Sequence, residues 1–252
     1  MQIVWRFDVV MTMVATVGRI IAGWIVWQAI FQGKEMVGGF DFQSMLSYYL
    51  ICSILRSIDF SNQISDEVSE LIRGGRFSGH MVTPMNPFGF FSSMVAGESA
   101  FHLGFSFAAA VICAVFFRVS VTLTGDAAQI MLAVAMIVIG LIFMAAFQYF
   151  MGIMTFKFTE IYFLMHVQWN IIAFATGSMV PLSLLPNAIF TVLQFLPFSH
   201  VVFTPTMLLI GQTDVHGGLF GLAVLVAWTM MMLYATQFTY SRLRVKYDGV
   251  GI

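Results

Sequence analysis

The residues of this sequence best suited to chemistry are a carboxylate and an imidazole at helical spacing. Glu98 and His102 stand four positions apart in "VAGESAFHLGF", so a helix would bring them to one face. Such a pair suits a proton relay or a polar contact with a substrate. A structural polar contact at the membrane edge is the plainer alternative, and the sequence leaves both interpretations open.

Three other polar side chains stand in apolar surroundings. Arg19 lies inside a long apolar run, where a charged group must snorkel, pair or line a polar cavity. If the run begins nearer Arg19, the residue marks the cytoplasmic edge instead. Gln168 and Asn170 stand at the head of a later run and are suited to line a pathway, and no metal site is predicted there.

Signatures of nucleotide hydrolysis and of other enzymes are missing from the sequence. It has no G-x-x-x-x-G-K-[ST] phosphate loop, no H-E-x-x-H and no G-x-S-x-G. Its two cysteines, Cys52 and Cys113, fall in apolar runs and predict buried thiols. We therefore expect no ATPase activity, no metal and no cofactor in this chain itself.

The composition predicts an integral membrane protein. Hydrophobic residues make up 60% of the 252 positions, and charged residues only 9%. Mean hydropathy is +0.91, and soluble domains use far fewer apolar residues. A formal net charge of -1 with scattered basic residues offers no surface for nucleic acid.

Six apolar runs are long enough to cross a bilayer, which takes about 20 residues. They lack the alternation of barrel strands, so we expect an all-α fold in one membrane domain, residues 1–252. The predicted helices are 10–31, 43–60, 89–117, 128–150, 162–180 and 219–239.

Lysine and arginine in the connections predict the orientation, because they favour the cytoplasmic side. With both termini in the cytoplasm, only Lys34 and Arg118 fall outside. The inner side then holds Arg6, Arg73, Arg76, Lys157, Arg242, Arg244 and Lys246.

The connection between the fifth and sixth helices, residues 181–211, falls outside and holds four of the six prolines. Its apolar pieces are too short to cross the bilayer and too apolar for a solvated loop. We expect short helices that dip into the outer leaflet, with Pro186 and Pro205 restarting them. An amphipathic helix on the outer surface is the alternative.

The connection between the second and third helices contains an amphipathic helix, predicted over residues 64–73. Ser65 is its expected N-cap, and Gly74 with Gly75 its stop. Apolar residues recur at helical spacing opposite a mostly acidic face. The apolar stripe is Ile64, Val68, Leu71 and Ile72, and the polar face is Asp66, Glu67, Glu70 and Arg73.

Two interpretations of this amphipathic helix are open. It could lie in the lipid interface, but interfacial helices usually present Lys and Arg to anionic lipid. An acidic face suits a protein partner better.

Four passages in order resemble type-2 ATP-binding-cassette (ABC) permeases, over nearly the whole chain. They are "ISDEVSELIRGGRFSGHMVTPMNP", "GSMVPLSLLPNAIFTVLQFLPFSHVVFTP", "MLLIGQ" and "YSRLRVKYDGVG". The subgroup that the sequence resembles most is that of small daunorubicin-type or multidrug exporters.

The resemblance implies that the amphipathic helix is a coupling helix, which docks in a groove of a separate ATPase. By similarity, Glu67 and Glu70 would face that ATPase. Ile64, Val68 and Leu71 would pack on the membrane domain. Gly74 and Gly75 would permit the sharp reversal of the chain.

The resemblance also implies the partners. Two cytoplasmic ABC ATPase subunits would bind ATP and Mg, and a second permease, identical or different, would complete the pathway in a bacterial-type plasma membrane. The outer segment would form a gate at Pro181, Pro186, Phe195, Pro197, Phe198 and Pro205. An ion-coupled secondary transporter using Glu98 and His102, or a membrane scaffold, are the alternatives.

Overall fold

The computed structural model describes residues 2–158 and 162–246, and this part of the chain is helical. In these two ranges there is no strand, and one isolated bridge joins Val37 to Phe40. The helices are α1 Gln2–Ile30, α2 Phe42–Ile58, α3 Asn62–Arg73, α4 Ser78–Val82, α5 Pro87–Phe116, α6 Ala127–Ile153, α7 Tyr162–Ala175, α8 Asn187–Gln194, α9 Phe203–Leu209 and α10 Val215–Leu243. The predicted all-α membrane fold agrees with this architecture.

Helices occupy all six predicted runs, but fewer are long and apolar enough to cross a membrane by themselves. Within the described residues, three meet that test: Pro87–Phe116, Ala127–Phe156 and Val215–Leu243. The pair formed by 187–194 and 197–209, bent by 81°, would make a fourth if it is one span. The α2 helix has only 17 residues. Six crossings therefore stay a prediction.

Side-chain caps fix where four of the long helices begin. In each, an Asp or Asn just before the first turn accepts a hydrogen bond from a backbone N–H that has no partner inside the helix. The capping residues are Asp41, Asn86, Asp126 and Asp214. These helices therefore start at defined positions in the sequence.

The α7 helix is shorter than the predicted 162–180, since it ends at Ala175. Gly177 follows with a φ of 75°, a left-handed conformation that favours glycine. The hydroxyl of Tyr48 donates to the carbonyl oxygen of Gly177 at 2.7 Å and fixes this turn to α2. Residues 176–180 therefore leave the helix axis and lead into the bent pair.

The α6 helix is central and separates two ends of the molecule. Near its start, Leu132 lies beside Gly218 of α10, and at its midpoint Gly140 packs on Val201. Phe198 of the bent pair contacts Phe143 and Phe147 farther along α6. Near its end, Gly152 packs on α3. The bent pair thus packs along the middle of α6, and the amphipathic helix packs on its last turns.

Candidate functional site

The α3 helix confirms the predicted amphipathic helix, with one boundary corrected. It ends at Arg73 as predicted but begins at Asn62. Ser65 is therefore not an N-cap; its hydroxyl donates to the carbonyl oxygen of Asn62 at 2.8 Å within the first turn. The chain enters through a turn in which the Asp59 carboxylate accepts the Ser61 N–H at 3.1 Å. That turn starts the helix before the first apolar residue of the stripe.

A turn of two glycines terminates α3. The N–H of Gly74 donates to the carbonyl of Glu70 at 2.9 Å, and the N–H of Gly75 to that of Ile72 at 3.2 Å. Gly75 has a φ of 73°, which other residues adopt only with strain. Phe77, fully buried, then anchors the reversed chain.

The apolar face of α3 is buried against the end of α6. Ile64 and Val68 are completely buried, and Leu71 is half-buried. A Cβ on Gly152 of α6 would come within 2.8 Å of the Val68 Cβ and 3.3 Å of the Ser65 Cα. The absence of a side chain at Gly152 is what permits this close approach, so α3 is seated on α6 as a rigid unit.

The opposite face of α3 is open and carries charge. Asp66, Glu70 and Arg73 are exposed, and Glu67 is half-buried. Glu70 accepts a hydrogen bond from Arg76 at 3.1 Å, an ion pair in solvent that adds little stability. The acidic groups of this face are therefore accessible from outside the described helices.

Partial burial raises the pKa of two carboxyl groups on this face, because it penalises the charged form. For Asp66, His166 and Arg73 oppose that rise in the pKa. For Glu67, His80 opposes it, while Glu98 and Glu70 add to it.

A chain of side-chain amides links α3 to two long helices, and sequence reasoning did not find it. Gln148 of α6, almost completely buried, donates through Nε2 to Asn62 Oδ1 at 2.7 Å. Gln168 of α7 donates through Nε2 to Gln148 Oε1 at 3.1 Å. The three residues lie far apart in sequence, and an isolated glutamine in an apolar run is the only signal the sequence carries.

The two residues predicted to line a pathway are separated by the structure. Gln168 joins the buried amide chain, whereas Asn170 is exposed and donates to the carbonyl of His166 at 3.1 Å. Only Gln168 therefore points into the described helices.

Glu98 and His102 share a face of α5, but no hydrogen bond or ion pair joins these two described side chains. His102 packs on the ring of Phe60 at 4.7 Å between centroids. The oxygen Oε2 of Glu98 and the nitrogen Nδ1 of His102 are each buried without a hydrogen-bond partner in the described part of the chain. The pair is not assembled as a relay.

The predicted gate residues distribute along the bent pair. Pro186 precedes α8, but the second break falls at Pro197, between Gln194 and α9. Pro205 does not restart a helix. It lies in the first turn of α9, where a missing N–H costs nothing. Pro181, Pro197 and Pro205 are buried, Phe198 is half-buried, and Pro186 and Phe195 are exposed.

Hydrogen bonds lock the bend of this segment, again through residues that sequence reasoning missed. The Nδ1 of buried His200 lies 2.8 Å from Thr204 Oγ1, and its Nε2 lies 2.8 Å from the carbonyl oxygen of Gln194. Trp228 of α10 donates to the carbonyl of Phe195 at 2.9 Å. The imidazole therefore bridges α8 and α9 across the break.

Some predicted positions lie outside the described residues. The end of the basic tail, 247–252, is among them, and so are the side chains of Arg6 and Lys246.

Apolar helices with a capped amphipathic helix at one end define a multi-pass membrane protein. The family model described as "ABC-2 family transporter protein" matches residues 17–251, so the chain belongs to that family. The family is one of membrane permeases that are not themselves ATPases, and membership implies association with ABC ATPase partners. No match was found among curated proteins or among solved structures.

Proposed function

We propose that this chain is the transmembrane subunit of an ATP-driven ABC exporter, coupled to a separate cytoplasmic ATPase that binds ATP and Mg. The observation that carries the proposal is α3: its apolar face is seated on α6, and its acidic face is left open. Membership in the ABC-2 family supports the same role. The small daunorubicin-type or multidrug exporters are the proposed subgroup.

The proposed orientation puts α3 and both termini in the cytoplasm, with six crossings of a bacterial-type plasma membrane. The excess of Lys and Arg at the α3 end supports it. Two ATPases and a second permease, identical or different, would complete the complex, since a bundle this small is suited to a pathway at a subunit interface.

The proposed mechanism is a rigid-body push on α3. ATP binding closes the ATPases against Asp66, Glu67, Glu70 and Arg73. The α3 helix is terminated by Gly74 and Gly75 and packs against Gly152. The push therefore moves α6, because no loop lies between α3 and α6 at this contact to absorb it.

The push reaches the bent pair through α7. The amides of Asn62, Gln148 and Gln168 connect α3 to α7. The α7 helix leads into the bent pair, which we propose as a re-entrant outer gate. Its bend of 81° and the His200 bridge support a segment that moves as one body.

The secondary-transporter alternative has weaker support. It requires a proton to pass between Glu98 and His102, whereas the buried His102 packs on Phe60 and makes no hydrogen bond with Glu98 in the described structure.

Reversal of the acidic face tests the proposal. Glu67→Lys with Glu70→Lys should abolish co-purification of the ATPase, because both changes replace attraction at the docking face by repulsion. The control is Glu35→Lys, an exposed carboxylate in the connection after α1. Thermal unfolding of the purified chain should be nearly unchanged, since the face is open. Full ATPase association by the double variant would reject α3 as the coupling helix.

A further inference from the structure

Two arginines lie among apolar helices, and neither has a carboxylate partner in the described part of the chain. Arg19 of α1 and Arg56 of α2 are each half-buried. Arg19 Nη2 donates to Thr16 Oγ1 at 3.0 Å, and Arg56 Nη1 donates to Ser178 Oγ at 3.1 Å. Both acceptors are neutral hydroxyls. No described carboxylate lies within ion-pair distance of either guanidinium.

The two guanidinium groups lie near one another. The α1 and α2 helices pack where Gly23 meets the ring of Tyr49, and Ile20 shares a buried cluster with Leu50. The two helices run antiparallel, because Phe31 of α1 contacts Phe42 of α2. Arg19 lies four residues before Gly23 and Arg56 seven residues after Tyr49, so both arginines lie on the same side of that contact. Like charges placed together in apolar surroundings are costly unless an anion joins them.

The nearest acid does not supply that anion. Asp59 attracts Arg56 only beyond ion-pair distance, and its carboxylate accepts the N–H of Ser61. Even with Asp59 ionised, one positive charge remains uncompensated among these three residues. The Nε of Arg19 is also buried without a hydrogen-bond partner in the described structure.

An apolar groove runs alongside the same helices. It is an open groove of about 940 Å³, including the space at its mouth, between α1, α2 and the connection after α7. Tyr49 stands in its wall beside Val26, Met179 and Val180. Because Ser178, which accepts the Arg56 hydrogen bond, directly precedes Met179, the positive group and the apolar groove adjoin.

We propose that Arg19 and Arg56 bind the anionic head of an amphiphile, a carboxylate or a phosphate, whose apolar body lies in the groove beside Tyr49. A guanidinium forms paired hydrogen bonds to such oxygens, and the anion offsets the repulsion between the arginines. The amphiphile is either a membrane lipid or free cargo. The inference rests on the proposed function only for placing α1 and α2 in a membrane.

Binding of fluorescent palmitate to the purified chain, in nanodiscs of phosphatidylcholine, tests this site. Palmityl alcohol with the same fluorophore is the neutral comparison. Arg19→Gln and Arg56→Gln should each weaken palmitate binding about tenfold, since each removes a charge-assisted hydrogen bond. Lys34→Gln, at an exposed cation outside the helices, should leave it unchanged. Arg19→Lys and Arg56→Lys keep the positive charge and should bind palmitate better than the Gln variants. The Lys variants test the site even if a Gln variant fails to fold.

Added phosphatidylglycerol distinguishes the two sources. If it displaces palmitate from the native chain, a lipid head group takes the site; if palmitate stays bound, the site selects free cargo, and both results support an anion site. Equal binding of palmitate and palmityl alcohol, or native affinity in both Gln variants, would overturn the inference. Because no ATPase is present in this assay, such a result would leave the proposed exporter function standing.

Discussion

At the residue scale, Gln148 is the side chain on which the proposed coupling between helices most depends. It is 1% exposed, yet it carries an amide among apolar neighbours, and both ends of that amide are satisfied. Buried polar groups are kept when their partners are complete. Its two partners belong to α3 and α7, so this one side chain connects the two helices. In the proposed mechanism, α3 receives the push from the ATPase, and α7 leads into the bent pair.

Gln148→Leu should separate these helices. The change leaves Asn62 Oδ1 and the Gln168 amide without their partner, at a cost of roughly 1–3 kcal/mol for a buried group. We expect a lower temperature of thermal unfolding and weaker stimulation of ATP hydrolysis by cargo, with the ATPase still attached. Asn170→Leu is the matched control, because Asn170 is an exposed amide on α7 that bonds only within its own helix. Equal effects of the two changes would reject the amide chain as a coupling route.

At the element scale, the contact between α3 and α6 depends on one glycine. Gly152 lets the backbone of α3 approach, and the hydrophobic stripe of α3 covers the end of α6. Packing at this density tolerates an added methyl poorly.

Gly152→Ala should loosen α3. Overpacking costs about 1–3 kcal/mol, whereas alanine gains about 1 kcal/mol of helix propensity, so the net effect is destabilising. Gly97→Ala on α5 is the control, since a Cβ there meets nothing within 4 Å. Hydrogen exchange of the α3 amides should speed up in the first variant and not in the second. Unchanged exchange in Gly152→Ala would show that the close approach does not seat α3.

Local patterns predicted α3 well and long-range contacts poorly. The stop at Arg73 follows from the glycine pair after it, because Gly75 adopts a φ of 73°, a conformation that favours glycine. The start was placed too late because a serine can bond within a turn as readily as it can cap. Contacts such as that between Gln148 and Asn62 depend on the packing of distant helices, which no single window of sequence contains.

The bent pair illustrates the same limit. Prolines signalled breaks, but Pro205 fits the first turn of α9, and the bend is held by His200, whose partners lie four and six residues away. The sequence places a histidine in an apolar segment, but it does not indicate which carbonyl oxygen the imidazole hydrogen-bonds.

At the scale of the whole molecule, α3 packs on the last turns of α6, and the bent pair packs along the middle of the same helix. The family match covers residues 17–251, so both segments belong to the matched region. The proposed transport cycle requires that a soluble partner act on α3 and that the bent pair respond.

The most direct test of the exporter function is to purify the tagged chain from its native cells in mild detergent and to measure what co-purifies and whether ATP is hydrolysed. The account predicts a soluble subunit with a G-x-x-x-x-G-K-[ST] phosphate loop, in a complex that hydrolyses ATP. A chain that purifies alone, is inert to ATP and still moves solute along an ion gradient would contradict it.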